Sequence, residues 1–157
     1  MILDKVLASV LNFDADGSLQ GTAPALLGLA RGDNSTPGIG HRKISSIRPD
    51  ERTTPGGRFI ASLGLDVYGE EMLWMAYDTA ISLHLVVKGT SEERRSQRLS
   101  SKSPDDNRIS YGCINVPIKF YELLVRHTFT GTSGIVHILL LTRTAQEVFG
   151  SYDVKNF

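Results

Sequence analysis

Ser110-Tyr111-Gly112-Cys113-Ile114-Asn115 holds the chain's single cysteine. A lone thiol has no intrachain disulfide partner. It is either a small buried hydrophobe or a reactive group. Gly112 removes the side chain just before the sulfur, so another group can approach the backbone there. Pro117 follows, and apolar residues at Ile118, Tyr121, Leu124 and Val125 have the spacing of an amphipathic helix with proline in its first turn. This order predicts that Cys113 sits on a turn just before a helix N-terminus, with Asn115 as its cap. Unpaired N–H groups there would favour a thiolate and could hold an oxyanion.

A cysteine nucleophile needs a base. The chain has four histidines, His41, His84, His127 and His137. His84 lies inside Ile81-Ser82-Leu83-His84-Leu85-Val86-Val87, a strand by composition, which would aim it rigidly. The alternative is a core histidine bonded to a backbone carbonyl. His127 suits a helix C-terminus, His137 belongs to an apolar strand, and His41 falls in a long loop. No Cys/His cluster has zinc-type spacing, and no cofactor motif is present.

The elements that must carry these residues read as a β-dominated α+β domain, with about six strands and one or two helices that do not alternate. Met1 to Phe13 reads as a strand, ended by the turn signal Asp14-Ala15-Asp16-Gly17. Ala25 to Ala30 reads as the returning strand. Arg31 to Gly57 is a long loop rich in Gly, Pro, Ser and Thr. Arg58 to Leu65, Met72 to Tyr77 and Ala80 to Val87 are strands, with a turn at Tyr68-Gly69-Glu70-Glu71. Lys88 to Arg108 is polar, with a short helix over Glu92 to Arg98 read as an exposed mixed-charge face. Ile135 to Leu141 is a buried strand, and Thr144 to Phe149 a closing helical turn. Trp74 and Tyr77 belong to the core or to a groove.

With 157 residues the chain is read as one domain. Lys plus Arg balance Asp plus Glu, 17 against 17, so no basic excess marks a nucleic-acid partner. No apolar run reaches membrane-spanning length. The opening residues lack a signal peptide, so either the protein is cytoplasmic or a leader has been removed.

Ser110-Tyr111-Gly112-Cys113-Ile114-Asn115, preceded by a strand-borne His84, resembles the catalytic motif of the L,D-transpeptidases of the YkuD family. Thr54-Pro55-Gly56-Gly57-Arg58-Phe59 is similar to that family's Thr-Pro-x-Gly-x-Phe segment, and the opening strand and turn to its N-terminal hairpin. The likeness extends from about Ile2 to about Leu141. Two departures stand out. Tyr111 occupies a position where histidine is common, and the interval from His84 to Cys113 is longer than usual, the excess lying in 88–108 as a lid or substrate wall.

The resemblance implies a β-sandwich-like catalytic domain with one main helix after the cysteine. It implies Cys113 as nucleophile, His84 as base, and backbone N–H groups of Gly112 and Cys113, beside Tyr111, at the oxyanion. Ser110 would brace the turn or orient the histidine. Tyr111 would be a substrate wall or a surface-filling ring. Asn115 would be a substrate contact or a helix cap. Arg108 would bind a stem-peptide carboxylate, or be a solvated arginine paired with Asp105 or Asp106. The implied activity is peptidoglycan cross-linking through a thioester on Cys113, with stem peptides as partners, no cofactor, and a periplasmic or cell-envelope location. Two alternatives stay open: a hydrolase of the same fold (L,D-carboxypeptidase, or an amidase of crosslinks or of wall-attached protein), and a non-catalytic wall-binding module.

Overall fold

The computed structural model describes residues 1–144, 146, 147 and 150. Among the described residues ten strands form one eight-stranded mixed sheet and a two-stranded pair, giving an α+β fold dominated by β structure. In chain order the strands are β1 (Ile2–Asp4), β2 (Ser9–Phe13), β3 (Leu19–Pro24), β4 (Leu27–Gly28), β5 (Gly57–Leu65), β6 (Glu71–Ala76), β7 (Ile81–Leu85), β8 (Arg108–Ser110), β9 (Ile114–Val116) and β10 (Ser133–Ile138). The large sheet has the order β3-β2-β1-β10-β5-β6-β7-β9, and β4 pairs with β8.

Alternation explains most of these strands. In β2 and β6 every second residue is buried, which suits a sheet with one face on the core. That core face carries Leu3, Val10, Ala61, Leu73, Leu83, Ile114, Val116, Val136 and Ile138. Against it packs one helical segment: α2 (Ile118–Phe120), a π-helical stretch (Tyr121–Val125) and α3 (Arg126–Phe129). Phe120, Tyr121, Val125 and Phe129 form its buried stripe. Thr128 accepts from Asn12 on β2 at 2.9 Å, and Arg126 pairs with Glu71 on β6 at 2.8 Å. One short helical segment therefore contacts strands far apart in the sheet. No helix among the described residues is long and apolar enough to cross a membrane.

Several expectations need correction. The opening strand is two strands, broken where Asp4 Oδ1 accepts from the N–H groups of Val6 and Leu7 and Ala8 takes φ 50°. The return strand is β3, and only Leu27–Gly28 of the apolar run after it is a strand. An unanticipated strand, β9, separates Cys113 from the helix. The cysteine is therefore not at a helix N-terminus, and Asn115 is no cap but a strand residue, with Pro117 at the N-cap. The long loop is present, folded into three 3₁₀ turns. The Asp14–Gly17 turn is as expected, with Asp14 Oδ1 accepting from Asp16 and Ser18 and Gly17 at φ 81°. The 88–108 segment carries α1 (Arg95–Leu99), which overlaps the anticipated Glu92 to Arg98 helix but starts three residues later and ends one residue beyond it. The closing helical turn falls largely outside the described residues, although Thr144 N–H and hydroxyl both donate to Glu147. Trp74 and Tyr77 stack on one another at 4.9 Å.

Candidate active site

His84 and Cys113 are brought together by β7 and β9, which run parallel with Leu83 opposite Ile114 and His84 opposite Asn115. Parallel neighbours need a long crossover, and the 88–108 segment lies within it. Cys113 precedes β9 by one residue and is half-buried.

The turn before the cysteine is fixed from three sides. Ser110 Oγ accepts the Gly112 N–H at 3.1 Å and donates to the Cys113 carbonyl at 2.6 Å, so Ser110 braces the turn. Gly112 takes φ 130°, and a Cβ there would lie 2.9 Å from the Thr53 carbonyl oxygen, so only glycine fits. Thr54 Oγ1 accepts from the Gly28 N–H and donates to the Gly112 carbonyl, both at 2.8 Å. The threonine of the Thr-Pro-Gly segment thus ties the cysteine turn to β4. Because Ser110 occupies the Gly112 N–H, that amide is not available to an oxyanion as expected, and the amides of Cys113 and Tyr111 remain as candidates.

The Cys113 sulfur has two short partners. It lies 3.3 Å from the Ala80 carbonyl oxygen, and the Ser82 hydroxyl donates to it at 3.5 Å. Ala80 is held at φ 52°, an uncommon conformation for a residue with a Cβ, in the turn from β6 to β7. Burial alone would raise the thiol pKa. The hydrogen bond from His84 and the positive charge its ring has once protonated, together with the Ser82 hydroxyl and N–H, outweigh it and bring the pKa below the ordinary value. A thiol released from Ala80 therefore has a base at hand.

His84 Nδ1 lies 2.8 Å from the Leu85 carbonyl oxygen, and Nε2 lies 3.2 Å from Asn115 Nδ2. A carbonyl only accepts, so Nδ1 carries the hydrogen and Nε2 is the basic nitrogen. Asn115 is 1% exposed, and its Oδ1 accepts from Arg95 at 2.7 Å. Both ends of its amide are occupied inside the protein, so it positions the histidine and is no substrate contact.

Arg108 is also corrected. It is 8% exposed, and its guanidinium donates to the Lys5 carbonyl at 3.1 Å and the Gly28 carbonyl at 3.4 Å. It pins β8 to the N-terminal turn. Its proposed surface partner Asp105 pairs instead with Arg31. Tyr111 is half-buried with the Arg52 guanidinium 3.9 Å above its ring, a cation–π pair at the edge of the cysteine turn. Ser82, Ala80, Arg95 and Arg52 escaped sequence reasoning, and Arg95 was misread as part of an exposed charged face. His127 is exposed on α3, and His137 lies on β10.

Compared with protein-family models, with curated proteins and with solved structures, the chain matches none.

Proposed function

We propose that this chain is a cysteine acyltransferase of the L,D-transpeptidase type, acting on peptidoglycan stem peptides in the cell envelope. The observation that carries the reading is the Cys113–His84 pair on adjacent parallel strands, with a thiol pKa drawn down by the imidazole and an Nε2 left basic. The sulfur turns from the Ala80 carbonyl to His84 and gives its proton to Nε2. The thiolate attacks the carbonyl after an L-residue of a tetrapeptide stem. The oxyanion is met by the amides of Cys113 and Tyr111. Nε2–H then protonates the departing D-residue amine, and a thioester remains on Cys113. The amine of a second stem attacks to form a cross-link, or water attacks to complete hydrolysis.

The test is incubation with a tetrapeptide-containing muropeptide. Dimers support cross-linking, and free D-amino acid with tripeptide but no dimer supports the hydrolase. Absence of both products, with a Cys113 that a carbapenem-type β-lactam fails to acylate by intact mass, leaves the wall-binding module.

A further inference from the structure

The chemistry just proposed uses Cys113 and His84 and leaves a half-buried ion pair beside them without a task. Arg95 keeps only 10% of its side chain exposed, and its Nε donates to Glu93 at 2.7 Å. Its NH1 donates to Asn115 Oδ1 at 2.7 Å. A guanidinium has no acceptor, so the Asn115 atom facing it must be the oxygen. The amide nitrogen must then face His84 Nε2. Nε2 is thereby required to accept, while Nδ1 is required by Leu85 to donate. Donors and acceptors run in one direction from Arg95 through Asn115 to His84.

We infer that Arg95, anchored by Glu93, is a positioning residue that locks the Asn115 amide and so holds His84 at rest as the neutral Nδ1–H tautomer. This rests on Cys113 and His84 being the reacting pair. The lock has a consequence for each half of the reaction. At rest Nε2 carries no hydrogen, and it takes the thiol proton once the Asn115 NH2 gives up its place on the lone pair. When the Sγ–H bond breaks and the Nε2–H bond forms, the new N–H faces the Asn115 NH2, donor against donor. The imidazolium is then a stronger acid, disposed to pass its proton to the leaving amine. Turning the amide over would relieve this clash, but it would set the NH2 against the Arg95 guanidinium. Facing the ring are the Cys113 thiol and, beyond Asn115, Arg95 with Glu93. Arg52 lies close enough to Glu93 to stabilise its charge.

The experiment is nitrogen NMR of the His84 ring against pH in the full chain, alongside the pH dependence of Cys113 alkylation by iodoacetamide. The proteins are wild type, Arg95→Met, Asn115→Asp and His84→Ala. Wild type is expected as the Nδ1–H tautomer. In Arg95→Met the amide turns over, its oxygen accepts from an Nε2–H, and a doubly protonated ring appears in the nitrogen spectrum where wild type shows the Nδ1–H tautomer, with alkylation in acid about tenfold faster. Asn115→Asp presents an oxygen whatever Arg95 does, and is expected to shift the same way, so it carries the test if the methionine variant fails to fold. An Nε2–H tautomer in wild type, or an unshifted His84 in the folded variants, overturns the lock. A thiol indifferent to His84→Ala overturns the acyl-transfer reading, and the lock with it. A thiol that depends on His84 but is unmoved by Arg95→Met sinks the lock alone.

Discussion

Thr54 joins two polar clusters of opposite character. Its main-chain oxygen accepts from Lys5 Nζ at 2.9 Å, and its hydroxyl holds the Gly112 carbonyl at 2.8 Å. On the first side, Lys5 is 1% exposed, and its ammonium makes three bonds, to Asp33, to the Gly32 carbonyl and to Thr54. Asp33 in turn accepts from the N–H groups of Leu141 and Thr142 and from the Thr142 hydroxyl. Each charge there has a full set of partners, and no proton has a second place to go. On the other side, the Cys113 proton has two destinations, the Ala80 carbonyl and His84. A saturated cluster fixes the fold, whereas one with competing acceptors can react.

The largest expected effect separates the two sides completely. Cys113→Ala removes one half-buried atom and should abolish both cross-linking and hydrolysis. Stability should stay within about 1 kcal/mol of wild type by thermal melting. A variant that retains turnover places the chemistry elsewhere.

Asp33→Ala should do the reverse. It strands a buried ammonium and should cost about 3–5 kcal/mol, seen as a fall of about 10 °C in Tm. The remaining folded protein should still carry an alkylatable Cys113. The same cluster has a pH signature. Burial would raise the Asp33 pKa, but the bonds from Lys5, Thr142 and Leu141 hold it well below the carboxylate range. Its contribution is therefore complete above the unfolded pKa, about 4, and is lost as pH falls from there toward the folded value. Wild type should lose stability over that window, and Asp33→Ala should lose less.

Thr54→Val tests the joint itself. The main-chain oxygen that Lys5 uses is untouched, while the Gly28 N–H and the Gly112 carbonyl both lose their partner. Leaving buried backbone groups unpaired costs about 1–3 kcal/mol. The expected result is a modest Tm loss with a larger fall in kcat than in KM, because the cysteine turn loosens. If kcat is unchanged, the turn is held well enough by Ser110 and the Gly112 conformation, and the joint matters only to the fold.

How much of this was legible follows the range of the interactions. The Gly112-Cys113 turn and the His84 strand show in the sequence because glycine and β-branched composition act locally. The long loop shows because Gly, Pro, Ser and Thr deny it periodicity. β9 was missed because three residues are too short to show alternation, and Pro117 drew the helix start forward onto Asn115. Arg95 and Arg108 were misassigned for one reason. Nothing local tells a solvated guanidinium from one whose head is taken by a carbonyl or amide distant in sequence. Ala80 gave no signal at all, since its φ is imposed by the Tyr77 to Ala80 turn.

The smallest effect expected lies at the rim. Arg52 donates from Nε and NH2 to the Ile47 carbonyl, at 3.2 and 3.1 Å, while covering the Tyr111 ring. Arg52→Gln removes the cation but can keep one donor to Ile47. A cation–π contact at such a partly exposed site contributes about 0.5–1 kcal/mol, so Tm should move by a few degrees at most. If Tyr111 is a substrate wall, freeing its ring should raise KM for the muropeptide and leave the alkylation pH profile of Cys113 as it was. A shift in that profile instead would mean that the Arg52 charge reaches the thiol through Glu93 and Arg95. The boundary between the reacting cluster and its scaffold would then lie one residue further out than Tyr111.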